Sequence, residues 1–353
     1  MKRNEVLYEK IPQRKSAYSY IPSWRQQFLY LGLYGAMMPL SPTAKPEWMP
    51  SSSIHTTRFE KKPVLEDISI VIPTLGRPVL QQSLFWILAG SAWPGCLIIV
   101  EQGCNKDVMD WLRRVQELGI RVKHILSDQR GRSAGINCGL EQVDSRFVAI
   151  TDDDCFVGED WLVNMASKLR LSPEAVVTGR VEAAGEGVIL VVTSTTPAIQ
   201  YRPRVKFDSM SGGNMGTSLA NFKKVGLFEE DPVMSTAEDA EWAYRALRKG
   251  ITIVYEPEVV VTHFGWRNDE KRRAQYRHYA LSHGGFYGKY LRKGDLFILL
   301  RAFVHFVRVL RRWILGIVTG NAEYALNGKS YCLGLLPGII AGFQSHFQAD
   351  KSS

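Results

Sequence analysis

Three consecutive carboxylates, Asp152, Asp153 and Asp154, follow the apolar run Phe147–Thr151. If the strand continued through them, Asp152 and Asp154 would point to one face of the sheet and Asp153 to the other. Neighbouring carboxylates repel each other unless a cation lies between them. Ligation by oxygen alone suits Mg²⁺ or Mn²⁺, ions that commonly also bind substrate phosphates. The alternative is a solvated turn or a helix cap, where aspartate is also common.

Strand and helix patterns alternate before this acidic run, and this alternation predicts the fold class. Apolar runs predict strands at 68–72, 96–100, 121–126 and 146–151, and amphipathic segments between them predict helices. Such repeats predict an α/β protein whose open parallel sheet has helices on both faces. Ligands bind at the carboxyl ends of such strands, where Pro73, Glu101 and Asp152 fall.

The second half of the chain adds further candidate groups near predicted element ends. Glu238 and Asp239 open a predicted helix over 236–249, and one of them could act as a general base. A capping box from Ser235 to Glu238 is the structural alternative. His263 follows a predicted strand over 259–262, which is read as separate from the strand over 251–255.

Composition limits the class of protein. With 353 residues and 45% hydrophobic residues, the chain can bury a substantial core. The five cysteines are odd in number and form no Cys-x-x-Cys pair, which argues against a disulfide framework or a structural zinc site and for a reducing compartment. The N-terminus lacks the apolar core of a signal peptide, so a cytoplasmic location is expected.

Basic charge is concentrated in one segment. The net charge is +9, and residues 265–312 alone carry twelve Lys or Arg against three Asp or Glu. Arg301, His305, Arg308 and Arg312 share one face of a predicted helix over 296–320. We therefore expect Arg301, Arg308 and Arg312 to contact an anionic membrane. The alternative is a packed helix with a solvated basic face, and nucleic acid is not expected as a partner.

Taken in order, these segments resemble the inverting glycosyltransferases of family 2, which have the GT-A fold of nucleotide-diphospho-sugar transferases, a mixed sheet with helices on both faces. The resemblance runs from Ile68 to about His263. The segments that carry it are Val71-Ile72-Pro73-Thr74, Val100-Glu101-Gln102-Gly103, Asp152-Asp153-Asp154, Gly212-Gly213-Asn214-Met215, Glu238-Asp239 and Val261-Thr262-His263.

The resemblance implies roles for individual residues. It implies Asp239 as the catalytic base, with Glu238 supporting it, and Asp154, Asp152 and His263 as ligands of Mg²⁺ or Mn²⁺. Residues implied at the donor nucleotide are Pro73, Thr74, Arg77, Glu101, Asn137, Asp152 and Asp153. Residues implied at the donor sugar or acceptor are Gly212, Gly213, Asn214 and Trp266. Arg130 and Arg132 either reach a phosphate or, as we expect by default, lie on solvated surface.

The implied reaction moves a sugar from a nucleoside-diphospho-sugar, with a UDP-sugar expected, to a glycan or lipid-linked acceptor. A role in cell-envelope or exopolysaccharide synthesis at the inner face of the membrane would fit. The expected organisation is an N-terminal extension over 1–62, a catalytic domain over 63–265 and a basic helical region over 266–353. The alternatives are an inactive GT-A-fold protein that binds membrane surfaces, and a nucleotidyltransferase, whose glycine-rich loop after the first strand is lacking here.

Overall fold

The computed structural model describes Ile54 and residues 58–186, 192–266 and 269–345, except for the side chains of 185–186, 266 and 269–273. They belong to one compact unit, Ala44–Ser353. The strands are β1 Val64–Thr74, β2 Trp93–Glu101, β3 Val122–Leu126, β4 Phe147–Thr151, β5 Cys155–Val157, β6 Val176–Glu186, β7 Ala198–Gln200, β8 Asn214–Ser218 and β9 Ile253–Trp266. The helices are α1 Val79–Ala89, α2 Lys106–Glu117, α3 Arg132–Leu140, α4 Trp161–Leu171, α5 Leu219–Val225, α6 Glu238–Arg248, α7 Asp269–Arg292, α8 Leu296–Val318 and α9 Ala322–Gln344.

One mixed sheet contains the described strands, in the order β3-β2-β1-β4-β8-β6-β9-β5, with β7 beside β9. The first four strands of this order are parallel, as the alternating pattern predicts. Strand β8 then runs antiparallel to β4. The predicted α/β class with a mixed sheet and helices is therefore confirmed.

Apolar side chains cover both faces of the sheet, because the buried parallel strands carry long apolar runs. One cluster packs α1, α2 and α4 on one face, and another packs α3, α5 and α6 on the other. A third cluster joins α6 to the C-terminal helices α7, α8 and α9. The C-terminal helices thus pack directly against α6, the helix that begins with Glu238.

Strand β9 differs from the sequence prediction. The two strands expected at 251–255 and 259–262 form one strand, whose register against β6 shifts between Gly179 and Arg180. The extra residues lie around Pro257, which has no N–H to donate to a neighbouring strand. A bulge therefore accommodates the proline, and the strand continues on to His263.

The basic face of α8 also differs from the prediction. Arg301 is only 2% exposed and forms an ion pair with Asp208, at 2.7 Å between Nη1 and Oδ2. Arg308 is partly buried with its guanidinium over the ring of Phe207, and Arg312 donates a hydrogen bond to Asn327. The expectation that Arg301 contacts a membrane is therefore wrong, because its side chain is buried in the ion pair with Asp208. The same expectation for Arg308 and Arg312 stays a prediction. No helix in the described ranges is long and apolar enough to cross a membrane.

Candidate active site

The three aspartates form a turn and do not extend β4. Strand β4 ends at Thr151, and the N–H of Cys155 donates to the carbonyl of Asp152 at 3.1 Å. The predicted alternation of Asp152, Asp153 and Asp154 between two sheet faces is therefore wrong. Each carboxylate instead meets a different partner.

Asp153 is buried against the loop that follows β1. It accepts a hydrogen bond from Thr74 Oγ1 at 2.6 Å and from Arg77 Nε at 3.1 Å, and Arg77 Nη2 contacts both Asp153 and Asp154. Burial raises the pKa of Asp153, although Arg77 and Thr74 act in the opposite direction. Thr74 and Arg77 thus fix the acidic turn to the end of β1.

Asp154 faces His263 across the pairing of β5 with β9. Cys155 lies opposite His263 in that antiparallel register, and the His263 Nε2 to Asp154 Oδ1 distance is 3.5 Å. Asp154, Cys155 and His263 each offer a ligand atom within 4.8 Å of the others. Burial raises the pKa of the Cys155 thiol well above its usual value, so the neutral thiol is a poor ligand. Asp154 and His263 are the two residues that suit a divalent cation.

Asp152 is held by Arg132, for which the sequence analysis expected solvated surface by default. Arg132 Nε donates to Asp152 Oδ1 at 2.7 Å, and its Nη1 donates to Glu238 Oε1 at 3.0 Å. Burial lowers the pKa of Arg132, but Asp152 and Glu238 outweigh it and raise the pKa above its usual value. The expectation that Arg132 lies on solvated surface is therefore wrong. The sequence predicted that Arg132 lies near the start of α3. It could not predict the partners Asp152 and Glu238, which are 20 and 106 residues away.

Glu238 and Asp239 begin α6 without the predicted capping box. Ala237 is the N-cap residue, and the Ser235 hydroxyl instead lies 2.8 Å from His278 Nε2. Ser235 ends a short 3₁₀ turn over Pro232–Met234 and lies two residues before the N-cap of α6, which has no side-chain cap. The predicted capping box between Ser235 and Glu238 is therefore not formed.

The two acids differ in their surroundings. Glu238 is buried, and burial chiefly raises its pKa to about 7. Its Oε2 has no hydrogen-bond partner among the described residues. Asp239 is partly exposed and accepts hydrogen bonds from the N–H of Gly212 at 3.0 Å and of Ala240 at 2.7 Å. Asp239 thus combines access to solvent with a fixed orientation.

The glycine turn before β8, which comprises Gly212 and Gly213, connects the acidic turn with α6. A Cβ on Gly213 would lie 2.7 Å from Asp152 Oδ2, and a Cβ on Gly212 would lie 2.9 Å from Asp239 Cβ. Thr151 Oγ1 also donates to the Gly213 carbonyl at 3.0 Å. Because β8 pairs antiparallel with β4, Gly212 and Gly213 lie beside the end of β4. The absence of side chains lets both acids approach the turn.

Asn214 and Asn137 lie nearby but are occupied by structural hydrogen bonds. Asn214 is fully buried and accepts from Trp161 Nε1 at 2.8 Å while donating to two backbone carbonyls. The Asn137 side chain donates to the Phe228 carbonyl at 2.9 Å and accepts from the Phe228 N–H at 3.0 Å. Both amides position the surrounding loops, and direct contact with a donor would require these bonds to break.

The remaining predicted residues lie at the ends of β1, β2 and β9. Glu101 is paired in register with Thr74, and its carboxylate contacts His124 Nε2 at 2.9 Å. Pro73 precedes Thr74 and lies against Gly135 of α3. The side chain of Trp266 is outside the part of the chain that the structure describes.

The charges at this site are predominantly acidic. Two guanidiniums, of Arg77 and Arg132, contact carboxylates of the acidic turn and of α6. The carboxylates gathered here are those of Asp152, Asp153, Asp154, Glu238 and Asp239. An excess of carboxylates favours binding of a cation, and an anionic diphosphate would require one.

Part of the chain matches a known protein family. Residues 69–224 match the family model described as Glycosyl transferase family 2. No curated protein matches the sequence. The match covers the acidic turn and the glycine turn and ends before Asp239 and His263.

Solved structures that are similar to the chain include two glycosyltransferase complexes with Mn²⁺ and S. aureus TarS. The mannosyltransferase PcManGT from Pyrobaculum calidifontis, in complex with GDP-Man and Mn²⁺, has a TM-score of 0.55 and 12% identity, over 82% of this chain and 92% of that one. GalNAc-T7 with UDP, GalNAc and Mn²⁺ has a TM-score of 0.46 and 14% identity, over 64% of this chain and 50% of that one. S. aureus TarS has a TM-score of 0.46 and 13% identity, over 64% and 43%.

The similarity to PcManGT shows a shared fold, and the family match includes the acidic and glycine turns. The present chain spans half or less of the GalNAc-T7 and TarS chains. The chain therefore carries a family 2 glycosyltransferase domain of GT-A type, whose matched part is residues 69–224.

Proposed function

We propose that this protein transfers a sugar, with inversion, from a nucleoside-diphospho-sugar to a hydroxyl group of a glycan or lipid-linked acceptor. The observation that carries the proposal is the glycine turn, where Gly213 lies against Asp152 and Gly212 donates to Asp239. A substrate bound over this turn would have the acidic turn on one side and a partly exposed carboxylate on the other. An inverting displacement needs its leaving group and its base on opposite sides of the sugar.

Asp154 and His263 are proposed to hold Mg²⁺ or Mn²⁺, with Asp152 beside them. An oxygen ligand and an imidazole facing each other at 3.5 Å suit a divalent ion. The ion would neutralise charge on the departing nucleoside diphosphate. The PcManGT complex, which shares this fold, contains Mn²⁺ together with GDP-Man, and this supports the assignment.

Asp239 is proposed as the general base. The acceptor oxygen forms a bond to the anomeric carbon, the bond from that carbon to the diphosphate oxygen breaks, and Asp239 takes the hydroxyl proton. Its fixed orientation on the Gly212 and Ala240 N–H groups supports this role. Glu238 is buried on Arg132 and is proposed to hold that guanidinium between the two acidic segments.

The donor nucleotide is proposed to lie over the ends of β1 and β2. Thr74, Arg77 and Glu101 line this edge, which is where α/β sheets bind ligands. A UDP-sugar is the proposed donor. Because PcManGT is in complex with GDP-Man, guanine nucleotides have to be tested beside uracil nucleotides. Cell-envelope or exopolysaccharide synthesis at the inner membrane face is the proposed context.

The test is a thermal-shift screen of the purified chain against UDP, GDP and their sugars, with and without Mn²⁺. Ligand binding to the folded protein raises the melting temperature by mass action. We expect a rise with one nucleotide that requires Mn²⁺ and is lost in Asp154→Ala. The exposed carboxylate variant Asp110→Asn serves as the control and should keep the rise. The absence of a shift with every nucleotide would contradict the proposal.

Transfer is tested separately with the nucleotide sugar that binds. We expect Asp239→Asn to keep the thermal shift and to lose transfer by about 100-fold or more, because general-base catalysis typically contributes that much. Near-normal transfer by Asp239→Asn would show that the base is another group. The two variants thus separate donor binding from proton removal.

A further inference from the structure

Large apolar side chains line the outward face of α8 along its whole length. They recur at spacings of three, four and seven residues, so they share one face of the helix. The most exposed include Leu296, Leu299, Phe303, Ile314 and Ile317. Helix α9 also exposes large apolar side chains, at Leu333, Leu336, Ile340 and Phe343. Soluble monomers rarely expose a contiguous apolar surface of this kind without a function.

The opposite face of α8 carries polar side chains, of which Arg301 is buried and His305 and Arg308 are partly buried. Arg301 lies in its buried ion pair with Asp208. His305 Nδ1 is 2.9 Å from the Tyr287 hydroxyl, and burial chiefly lowers the pKa of His305 well below its usual value. A helix on a water-soluble protein normally buries its apolar face. Helix α8 has the reverse arrangement, which is stable where the surrounding medium is itself apolar.

The C-terminal helices contact one another closely through glycines. A Cβ on Gly284 of α7 would lie 2.7 Å from Gly338 Cα of α9, and one on Gly342 would lie 2.7 Å from Gly285 Cα. Gly328 of α9 likewise packs against the backbone of Trp313 in α8. Close backbone approach through small residues is typical of helices that pack within lipid. It leaves the large apolar side chains to face outward.

The exposed charged residues of α8, of α9 and of the turn between α7 and α8 are basic. Residues 296–322 contain no Asp or Glu. Arg311 and Lys329 are exposed on α8 and α9, and Arg292 and Lys293 are exposed at the turn between α7 and α8. A symmetric pairing of two copies through this face would bring like charges together. Anionic lipid headgroups would instead complement them.

We propose that α8 and α9 dock on an anionic lipid bilayer through this apolar face. Leu, Ile and Phe side chains enter the boundary between headgroups and acyl chains, and the flanking cations contact the headgroups. This surface is opposite to the basic stripe of Arg301 that the sequence pattern suggested. The inference stands on the helices alone and does not depend on the transfer reaction.

The experiment is flotation of the full-length chain with vesicles of phosphatidylcholine, alone or mixed with phosphatidylglycerol. We expect the chain to float with both kinds of vesicle, and more strongly with the anionic ones. Binding should persist at high salt, because salt does not screen the burial of apolar side chains. The variant Phe303→Glu/Ile314→Glu, at residues 64% and 52% exposed, should float about tenfold less. Its unchanged melting temperature would show that it folds.

The matched control is Met109→Glu/Leu171→Glu, at residues 60% and 58% exposed on α2 and α4. It should float like the wild type. Equal flotation of both double variants would overturn the proposal. A wild-type chain that stays at the bottom of the gradient would also overturn it, whether size-exclusion chromatography then shows a dimer or a monomer. The donor thermal shift is read independently, so failure of docking and failure of donor binding are distinguishable.

Discussion

Replacing Glu238 by Gln tests the electrostatics of the candidate site. Glu238 is buried, and burial chiefly raises its pKa from 4.5 to about 7. Arg132 and the start of α6 oppose that rise but do not cancel it. A glutamine keeps an oxygen that can accept the Arg132 hydrogen bond but cannot ionise. The substitution therefore removes the titration and preserves the geometry.

The magnitude follows from the pKa difference. A raised carboxyl pKa means that the folded state holds the proton more tightly than the unfolded state. Stability from this group is fully present below about pH 4.5 and is lost as the pH rises through about 7. The difference in pKa corresponds to about 3 kcal/mol. The variant lacks this pH-dependent loss. Its free energy of unfolding, relative to that of the wild type, should therefore increase by roughly this amount as the pH rises from about 4.5 to about 7.

Urea unfolding at about pH 5 and about pH 8 measures the difference between the two proteins at each pH. His283 and His305 have pKa values lowered chiefly by burial, so they destabilise the fold as the pH falls. Their effect is common to both proteins and cancels in the comparison. The exposed variant Glu117→Gln should show no pH-dependent difference. If the difference in free energy of unfolding between Glu238→Gln and the wild type were the same at both pH values, the raised pKa assigned to Glu238 would be wrong.

Two further substitutions test the geometry. Gly213→Ala would place a Cβ 2.7 Å from Asp152 Oδ2, so we expect a raised KM for the donor and little change in melting temperature. The control is Gly158→Ala, whose Cβ would make only ordinary contacts, and it should leave the KM unchanged. Lys289→Met removes a buried cation that lies 2.8 and 2.9 Å from two carboxylates, and breaking such a network should cost about 3–5 kcal/mol in urea unfolding. The exposed variant Lys223→Met should cost less than about 0.5 kcal/mol, and an equal loss in both would contradict the network.

Local patterns predicted much of the sheet, and the resemblance predicted that two of the site residues lie close together. The apolar run at 68–72 and the helix over 79–89 follow directly from residue periodicity, and both appear in β1 and α1. The resemblance placed Asp154 and His263 in one metal site, and the structure brings them to 3.5 Å. Each of these predictions depends on spacing within a segment or on the order of segments.

Partners that are distant in the sequence could not be predicted from local patterns. From the sequence alone, Arg132 is expected on the surface. In the fold, two different segments of the chain bring Asp152 and Glu238 into contact with it. The basic stripe of α8 reads as solvent-facing because periodicity shows that a helix has two faces, but not which one the protein covers. Asp208, 93 residues from Arg301, decides that question.

Helix α6 links the candidate base to the C-terminal helices. Asp239 lies at its start, and Glu241 in the next half-turn accepts from Lys289 Nζ and the Tyr290 hydroxyl of α7, at 2.9 and 2.8 Å. Farther along α6, the Tyr244 hydroxyl donates to Asp295, which caps the start of α8. Because these buried contacts hold α6 on α7 and α8, docking of α8 on a bilayer would fix the orientation of Asp239 relative to the membrane. An acceptor anchored in lipid would then meet the base in a constant orientation, which lowers the entropic cost of transfer.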